Sequence, residues 1–217
     1  MVRRLPLLLV LALPASAALA DDHGQVFGLK AGALGLGIEY SYEFNDRLAF
    51  RGAINGSKLG TDSDEAGIHY DVDVVWDSVS VGVDFHPTKG PFRLSAGVLS
   101  NDNRLEALSR PTHNVTVGDT VYTPAQVGTL VAVARYDDVA PLLGLGWDWS
   151  RTKRIGFSLD LGVVDQGDPT VVLIGTGTLL GDPAFQADIA AERADLEDAL
   201  EDFGLVPFAT FGLMFRF

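Results

Sequence analysis

The sequence has no cysteine among its 217 residues. Disulfides, thiolate metal sites and cysteine nucleophiles are therefore excluded together. Beyond residue 20 the chain also lacks a run of about 18 apolar residues, the length that a membrane-spanning helix needs. Any segment that crosses a membrane must then belong to a closed barrel, because only helices and closed barrels pair all their backbone N–H and C=O groups in hydrocarbon.

Basic residues are scarce. The chain has 16 lysines and arginines against 29 aspartates and glutamates, a formal net charge of −13 at pH 7. The phosphates of a nucleic acid would be repelled by such a chain, so we expect no nucleic-acid partner and favour cations or basic partners instead.

The first twenty residues have the pattern of a secretory signal. Arg3 and Arg4 precede an apolar stretch at 5–13, and Ala18-Leu19-Ala20 forms a small-residue cleavage site. A retained membrane anchor is the alternative, but the apolar stretch is short and lacks a basic stop-transfer flank. We therefore predict a cleaved signal peptide at 1–20 and one domain at 21–217, whose charge is −15 because two arginines are removed from −13.

The C-terminal segment alternates strictly between two faces. One face is aromatic and apolar and the other is mixed, small and polar; the apolar one carries Phe217, Phe215, Leu213, Phe211 and Ala209. In a soluble sandwich the apolar face would point inward, whereas in a membrane barrel it points outward to lipid. Alternation alone does not choose between these two architectures.

Two neighbouring segments favour the barrel. At 143–149 leucines and tryptophans alternate with glycine and aspartate, and at 155–163 apolar residues alternate with glycine, serine and aspartate. A soluble core rarely opposes its apolar face with so many glycines and charges, but a narrow barrel needs small and polar residues inside. Trp147 and Trp149, beside a basic turn at 151–154, fit an aromatic girdle at the membrane interface.

The same alternation upstream predicts an all-β, eight-stranded antiparallel transmembrane barrel. The eighth strand depends on dividing 24–44 at Gly32-Ala33; one long strand is the alternative, but single-chain bacterial barrels have an even strand number. The division leaves short turns at 45–46, 87–90 and 151–154 on one side. The external connections are then the bend near 32, 60–70, about 106–134 and about 178–203.

Two features interrupt this regularity. The apolar parity of 70–86 shifts near Asp77, which predicts either a bulge or a change of environment, with the outer part above the lipid. Residues 182–203 have helical spacing instead, with Asp182 as the cap and Pro183 in the first turn. Their other side is acidic, so we predict an amphipathic helix in the last external loop.

These features together resemble the small outer-membrane β-barrel proteins of the OmpA, OmpX and OmpW kind. The most specific element is the terminal Leu213-Met214-Phe215-Arg216-Phe217. The resemblance implies a Gram-negative outer-membrane location, and it implies that Phe217, Phe215 and Leu213 are part of the signal recognised by the barrel-assembly machinery. The glycine-rich start at 30–37 and the insert at 182–203 also resemble a group of uncharacterised proteobacterial outer-membrane proteins.

Several charged residues have the parity of the barrel interior. The residues selected as lumen charges are Glu39, Arg47, Arg51, Asp84, Arg93, Asp148 and Asp160; Lys30, Glu43 and Arg216 share their parity. They could line a pore or an ion site. The alternative, which we favour, is a salt-bridge network filling the lumen, since about eight strands leave an interior just wide enough for side chains.

Catalytic and metal-binding patterns are weak. The histidines are His23, His69, His86 and His113, and neither HExxH nor GxSxG is present. The run Asp62-Ser63-Asp64-Glu65 lacks the spacing of a calcium loop. We therefore expect no enzyme activity, no cofactor and no resident metal.

The sequence leaves three roles open. The favoured one is a structural or surface-interaction role, as a monomer in contact with outer-membrane lipid and lipopolysaccharide. A narrow channel for small solutes and an enzyme that modifies lipid A are the alternatives.

Deletion of Phe217 tests the assembly signal. We expect the deletion to impair membrane insertion and leave export intact, because the terminal aromatic acts by recognition. Heat-modifiable mobility on gels measures folded barrel, and periplasmic fractionation measures export. A variant that accumulates normal amounts of heat-modifiable protein would contradict this prediction.

Overall fold

A computed structural model describes residues 24–65 and 68–217, with the backbone alone for 63–65 and 68–70. The signal peptide predicted at 1–20 and His23 lie outside these residues. Eight antiparallel strands form a closed barrel. They are β1 (Gln25–Gly32), β2 (Gly35–Glu43), β3 (Leu48–Glu65), β4 (Ile68–Phe85), β5 (Phe92–Asn101), β10 (Val139–Asp148), β11 (Ile155–Asp165) and β13 (Leu205–Arg216).

The remaining elements lie in the long connections on one side of the barrel. They are β6 (Arg104–Pro111), β7 (Val115–Val117), β8 (Thr120–Tyr122), α1 (Pro124–Val127), β9 (Leu130–Arg135), β12 (Thr170–Gly175) and α2 (Pro183–Leu200), which a 3-10 turn at Glu201–Phe203 follows. Among the described residues, no helix is long and apolar enough to cross a membrane.

The barrel closes where the first strand meets the last. β1 pairs with β13 from Val26↔Arg216 to Gly32↔Thr210, and β1 pairs with β2 across a tight turn at 33–34. The predicted division of 24–44 into two strands is therefore confirmed, and so is the eight-stranded antiparallel barrel. Closure gives every barrel strand two neighbours, so the backbone ladder has no edge within the bilayer.

β3 and β4 continue well beyond the other hairpins. Their register is unbroken from Leu48↔Phe85 to Glu65↔Ile68, so the bulge considered near Asp77 is not present. The outer half of β4 pairs with β6, β6 with β9, and β9 with β12. We call this sheet, made of residues 57–65 and 68–76 with β6, β9 and β12, the external wall.

The strands of the external wall continue the strands of the barrel. β5 and β6 pair with β4 in the same register, as the pairs Ser78↔Asn101 and Val75↔Arg104 show. The two segments therefore behave as one strand that is interrupted only at 102–103. β9 and β10 are interrupted in the same way at 136–138, and β11 and β12 at 166–169. The external connection predicted at about 106–134 therefore contains ordered strands, including most of β6 and β9.

The interruptions lie side by side and bond to one another. Asn101 Nδ2 donates to the Asp137 carbonyl at 3.2 Å and to Gln166 Oε1 at 3.3 Å. The N–H of Asp102 donates to the Asp77 carbonyl at 2.9 Å. These polar segments thus mark one level around more than half of the barrel.

On β4, polarity inverts at this level, whereas on β12 the outward Val172 and Ile174 remain apolar and exposed. Below it the outward face is exposed and apolar and the inward face is polar; on β4 the outward residues are Val79, Val81 and Val83 and the buried inward ones are Ser78 and Asp84. Above it, the face of β4 that is continuous with the lumen carries Val72, Val74 and Trp76, and the outward face carries Asp71 and Asp73. The parity shift near Asp77 is therefore a change of environment from lipid to water along one continuous strand.

Candidate functional site: the lumen and the external wall

A compact set of charges fills the middle of the barrel. Arg93, which is 1% exposed, donates from Nη2 to Asp160 Oδ1 at 2.6 Å, and its Nη1 lies 3.5 Å from Asp84 Oδ2. The side chains come from β5, β11 and β4, whose inward parity brings them together. A guanidinium suits this position because its planar fork can contact two carboxylates at once.

Two more cations complete this layer. Lys30 Nζ lies 2.7 Å from Glu39 Oε2 and also contacts Asp160. Arg51 Nη2 lies 3.1 Å from Asp84 Oδ1, and its Nη1 lies 3.2 Å from Asp160 Oδ1. We call these six residues, Lys30, Glu39, Arg51, Asp84, Arg93 and Asp160, the charge layer. It holds three cations and three anions and is formally neutral.

A second group of charges fills the end with short turns, which is periplasmic in bacterial barrels. Glu43 accepts from Arg216 Nη1 at 2.6 Å and from Arg151 Nη1 at 2.8 Å. Asp148 accepts from the backbone N–H and hydroxyl of Ser150, and its Oδ2 lies 3.8 Å from Arg93 Nη1. With the charge layer, the interior carries five basic and five acidic side chains, so their formal charges cancel.

An apolar layer lies at the external end of the lumen. Its buried members come from β5, β10, β11 and β13 and pack with the tip of the β1–β2 hairpin; the layer consists of Leu34, Leu99, Ala140, Leu142, Val164 and Phe208. Phe208 has the inward parity of β13, and the glycine at 162 leaves the space that its ring occupies. Two successive layers of side chains, one charged and one apolar, therefore lie across the lumen.

A cavity of about 50 Å³ lies between the charge layer and the apolar layer. Glu39, Asn55, Thr210 and Phe208 are among the residues that line it. Among the described residues Glu39 Oε1 is buried and has no hydrogen-bond partner. A space of this size can hold a few water molecules, which supply the hydrogen bonds that a buried carboxylate oxygen needs.

The structure places six of the seven selected lumen charges inside the barrel, together with Lys30, Glu43 and Arg216. The prediction is wrong for Arg47. Its side chain is exposed because it lies in the turn before β3, where its N–H donates to Asn45 Oδ1 at 2.8 Å. The apolar layer was not predicted from the sequence, although the inward parity of Phe208 and Val164 is visible in the alternation.

The helix predicted at 182–203 is confirmed as α2 and its 3-10 extension. Asp182 Oδ1 caps it, accepting from the N–H groups of Ala184 and Phe185 at 2.9 and 3.1 Å. Phe185 and Ile189 pack with Val117, Tyr122 and Val127, and Leu130 and Leu173 contact this cluster from the lumen-side face of the external wall. α2 thus continues the wall beside β12, above β13.

Acidic residues of α2 hold the external segments in place. Glu197 Oε1 accepts from the N–H of Val171 at 2.9 Å, and Glu192 Oε2 accepts from the N–H of Gly118 at 3.0 Å. Asp188 accepts from the Tyr122 hydroxyl, and this hydrogen bond raises the pKa of Tyr122 and lowers that of Asp188. The acidic side of the helix is thus partly a packing surface, and the exposed side is rich in alanine.

The histidines with described side chains do not form a catalytic arrangement. His86 is buried and its Nδ1 lies 3.1 Å from the carbonyls of Gly90 and Phe92. His113 lies on an exposed loop, with its Nδ1 3.0 Å from the hydroxyl of Thr112. Within 24–65 and 68–217 no carboxylate bonds to either ring, and no group of three or more metal-ligating residues is present.

Net charge is concentrated in the external segments. Residues 57–77, 102–138 and 165–204 carry 21 acidic and five basic residues, counted on the sequence. The interior is neutral, and the described short turns contain more basic than acidic residues. The molecule therefore has a strongly acidic external part on a neutral membrane part.

Comparisons with known proteins support the fold. The chain is similar to Acinetobacter baumannii CarO2 (TM-score 0.59, 18% identity, 91% of this chain and 100% of that one) and to Acinetobacter baumannii CarO (TM-score 0.59, 20% identity, 89% and 97%). Ail of Yersinia pestis also matches, with TM-score 0.41, 13% identity and coverage of 90% and 95%. No protein-family model and no curated protein matches the sequence.

The fold and the distribution of polarity agree on the compartment. A closed barrel with an apolar outside and a charged inside is stable in a bilayer, and the chain shares its fold with the two Acinetobacter baumannii structures. The protein is located in the bacterial outer membrane.

Replacement of Arg93 by alanine tests the charge layer. Removing one partner of a buried ion network leaves carboxylates without their cation, which costs about 3–5 kcal/mol of unfolding free energy. Arg47→Ala is the matched control, and an exposed turn position should change stability by less than about 0.5 kcal/mol. Urea unfolding in lipid vesicles measures both variants. Equal stability of the two variants would show that the charge layer does not hold the barrel.

Proposed function

We propose that the protein is a non-enzymatic outer-membrane barrel with a surface-interaction role. The barrel holds the external wall and α2 in a fixed position above the lipid, where they present an acidic surface. The observation that carries the proposal is the division of charge: the interior carries balanced charges, whereas the external segments carry 21 acidic against five basic residues.

The wall is built as a rigid support. β3 and β4 cross the polarity boundary without a break in register, and α2 is tied to the wall by Glu197 and to the β7–β8 hairpin by Glu192. A preformed surface binds with less loss of conformational entropy than a flexible loop does. This arrangement supports recognition of an external ligand more than transport.

The partners that suit the surface are cationic. We propose that the molecule contacts outer-membrane lipid and that divalent cations bridge its exposed carboxylates to the phosphates of lipopolysaccharide. Asp77, Asp102, Asp138 and Asp165 are exposed at the level where the apolar band ends. We further propose that it functions as a monomer and that the barrel-assembly machinery inserts it.

Planar-bilayer recording distinguishes this role from the narrow-channel alternative. We expect the purified protein to give no discrete conductance steps, because the charge layer and the apolar layer both fill the lumen. Lipid A extracted from cells that overproduce the protein should have an unchanged mass spectrum. Discrete conductance that shifts in Arg51→Ala would establish the channel instead, and modified lipid A would establish the enzyme.

A further inference from the structure

The outer part of β3 has one unpaired edge. β2 pairs with β3 only as far as Leu36↔Gly56, whereas β4 accompanies it to Glu65↔Ile68. Among the described residues no strand pairs with the other side of 57–65. At about 3.3 Å per residue this edge is roughly 30 Å long, enough to accept a complete additional strand.

The opposite end of the external wall is covered. β12 pairs with β9 on one side, and α2 lies on its other side, where Glu197 accepts the hydrogen bond from the Val171 N–H at 2.9 Å. Natural sheets protect exposed edges because unpaired N–H and C=O groups pair readily with other chains. One end of this wall is protected and the other is open.

The open edge lies in water and is accessible. Gly56 pairs with Asp77, at the level where the outward face changes from apolar to polar, so residues beyond 56 are above the lipid. Leu59 is 64% exposed, and Lys58, Gly60, Thr61 and Asp62 are exposed as well. The segment 57–62 contains no proline, and its register with β4 shows no bulge. Proline and bulges are the backbone features that usually prevent an edge strand from pairing, and this edge has neither.

The side chains along the edge alternate in character. Leu59 lies on the lumen-side face, and Lys58 and Asp62 lie on the outward face. Lys58 Nζ is 2.8 Å from Asp73 Oδ2, which compensates the single basic charge of the edge. With Lys58 paired in this way, Asp62 is the remaining described charge of the edge, and it lies within external segments that carry 21 acidic against five basic residues.

We propose that the outer edge of β3 binds an extended basic segment of another protein as an added antiparallel strand. Main-chain hydrogen bonds to 57–62 supply affinity, and alternate side chains supply specificity. The added strand places a basic residue beside Asp62 and an apolar residue beside Leu59, because side chains on paired strands share faces at every second position. The inference rests on the proposed surface-interaction role and names its partner class.

The β3 strand of a second copy in the same membrane cannot pair with this edge in the antiparallel sense. All copies direct β3 outward from the membrane, so two β3 edges that meet in one bilayer run in the same general direction. Antiparallel pairing requires opposite directions. An antiparallel occupant of this edge is therefore a separate polypeptide that can approach from outside.

Hydrogen exchange of the mature protein in lipid nanodiscs tests the proposal. The probe is a short peptide of alternating valine and lysine, and the control peptide alternates valine and glutamate. We expect the lysine peptide to slow amide exchange in 57–62 by about tenfold at saturation, because added main-chain bonds protect amides that were open. The glutamate peptide should leave the exchange of this segment unchanged.

Two charge-reversal variants locate the contact. Asp62→Lys should weaken binding of the lysine peptide by about fivefold, because an attractive cross-strand pair becomes a repulsive one. Asp195→Lys changes the net charge equally at an exposed position of α2, at the opposite end of the external wall, and it should bind the peptide as the wild type does.

Three results with the peptides and variants would overturn the proposal, and a fourth concerns the protein alone. They are unchanged exchange in 57–62 at saturating lysine peptide, equal protection by the glutamate peptide, and equal weakening in both variants, which would indicate unspecific attraction to an acidic surface. Protection that grows with protein concentration in the absence of peptide would assign the edge to a second copy instead. None of these results depends on conductance or lipid A, so the proposed function is tested separately.

Discussion

The pairing of β1 with β13 is the interaction on which the rest of the structure depends. In hydrocarbon an unpaired backbone group costs several kcal/mol, and a chain without an apolar helix can avoid that cost only by closing its sheet. Closure gives every strand two different faces. The side chains of the outward face must be apolar because they contact lipid, and those of the inward face must fit inside a ring of eight strands. The strict alternation in the sequence follows from this requirement.

The narrow interior explains the neutral charge layer. Eight strands leave room for side chains and little else, so each buried cation must meet its carboxylates there and not water. Arg93, Arg51 and Lys30 share Asp160, Asp84 and Glu39 in this way. The apolar layer around Phe208 then fills the external end, where the inner face changes from polar to apolar.

Closure is needed only within the bilayer, and the molecule departs from symmetry above it. Five lines of strand continue into water on one side, while the β1–β2 hairpin stops at the membrane level. α2 takes the place of an outward extension of β13 and protects one end of the wall. The acidic surface and the open edge of β3 are both consequences of this one-sided extension.

Most of the barrel was predictable because lipid imposes a period of two on its strands. The alternation predicted the eight strands and the division at Gly32-Ala33, and inward parity selected Arg93, Asp160 and their neighbours. Parity predicts the direction of a side chain only within a strand. Arg47 has the parity of the inward residues, but it lies in the turn before β3 begins and is exposed. The strands of the external wall were missed because residues that face water need not be apolar, so the alternation of apolar and polar residues is weaker there. The bonds of Glu192 and Glu197 were missed because helical spacing does not show which loops pack on an acidic face.

β4 passes from lipid to water at Asp77 without a change in which face points outward. Nitroxide labels at odd positions 71–85, one per variant in lipid vesicles, measure this directly through their collisions with oxygen and with a water-soluble nickel complex. Labels at 79, 81 and 83 should collide mainly with oxygen, and labels at 71, 73 and 75 should collide mainly with the nickel complex. A lipid signal at 73 and 75, or one that moves to even positions above 77, would contradict it.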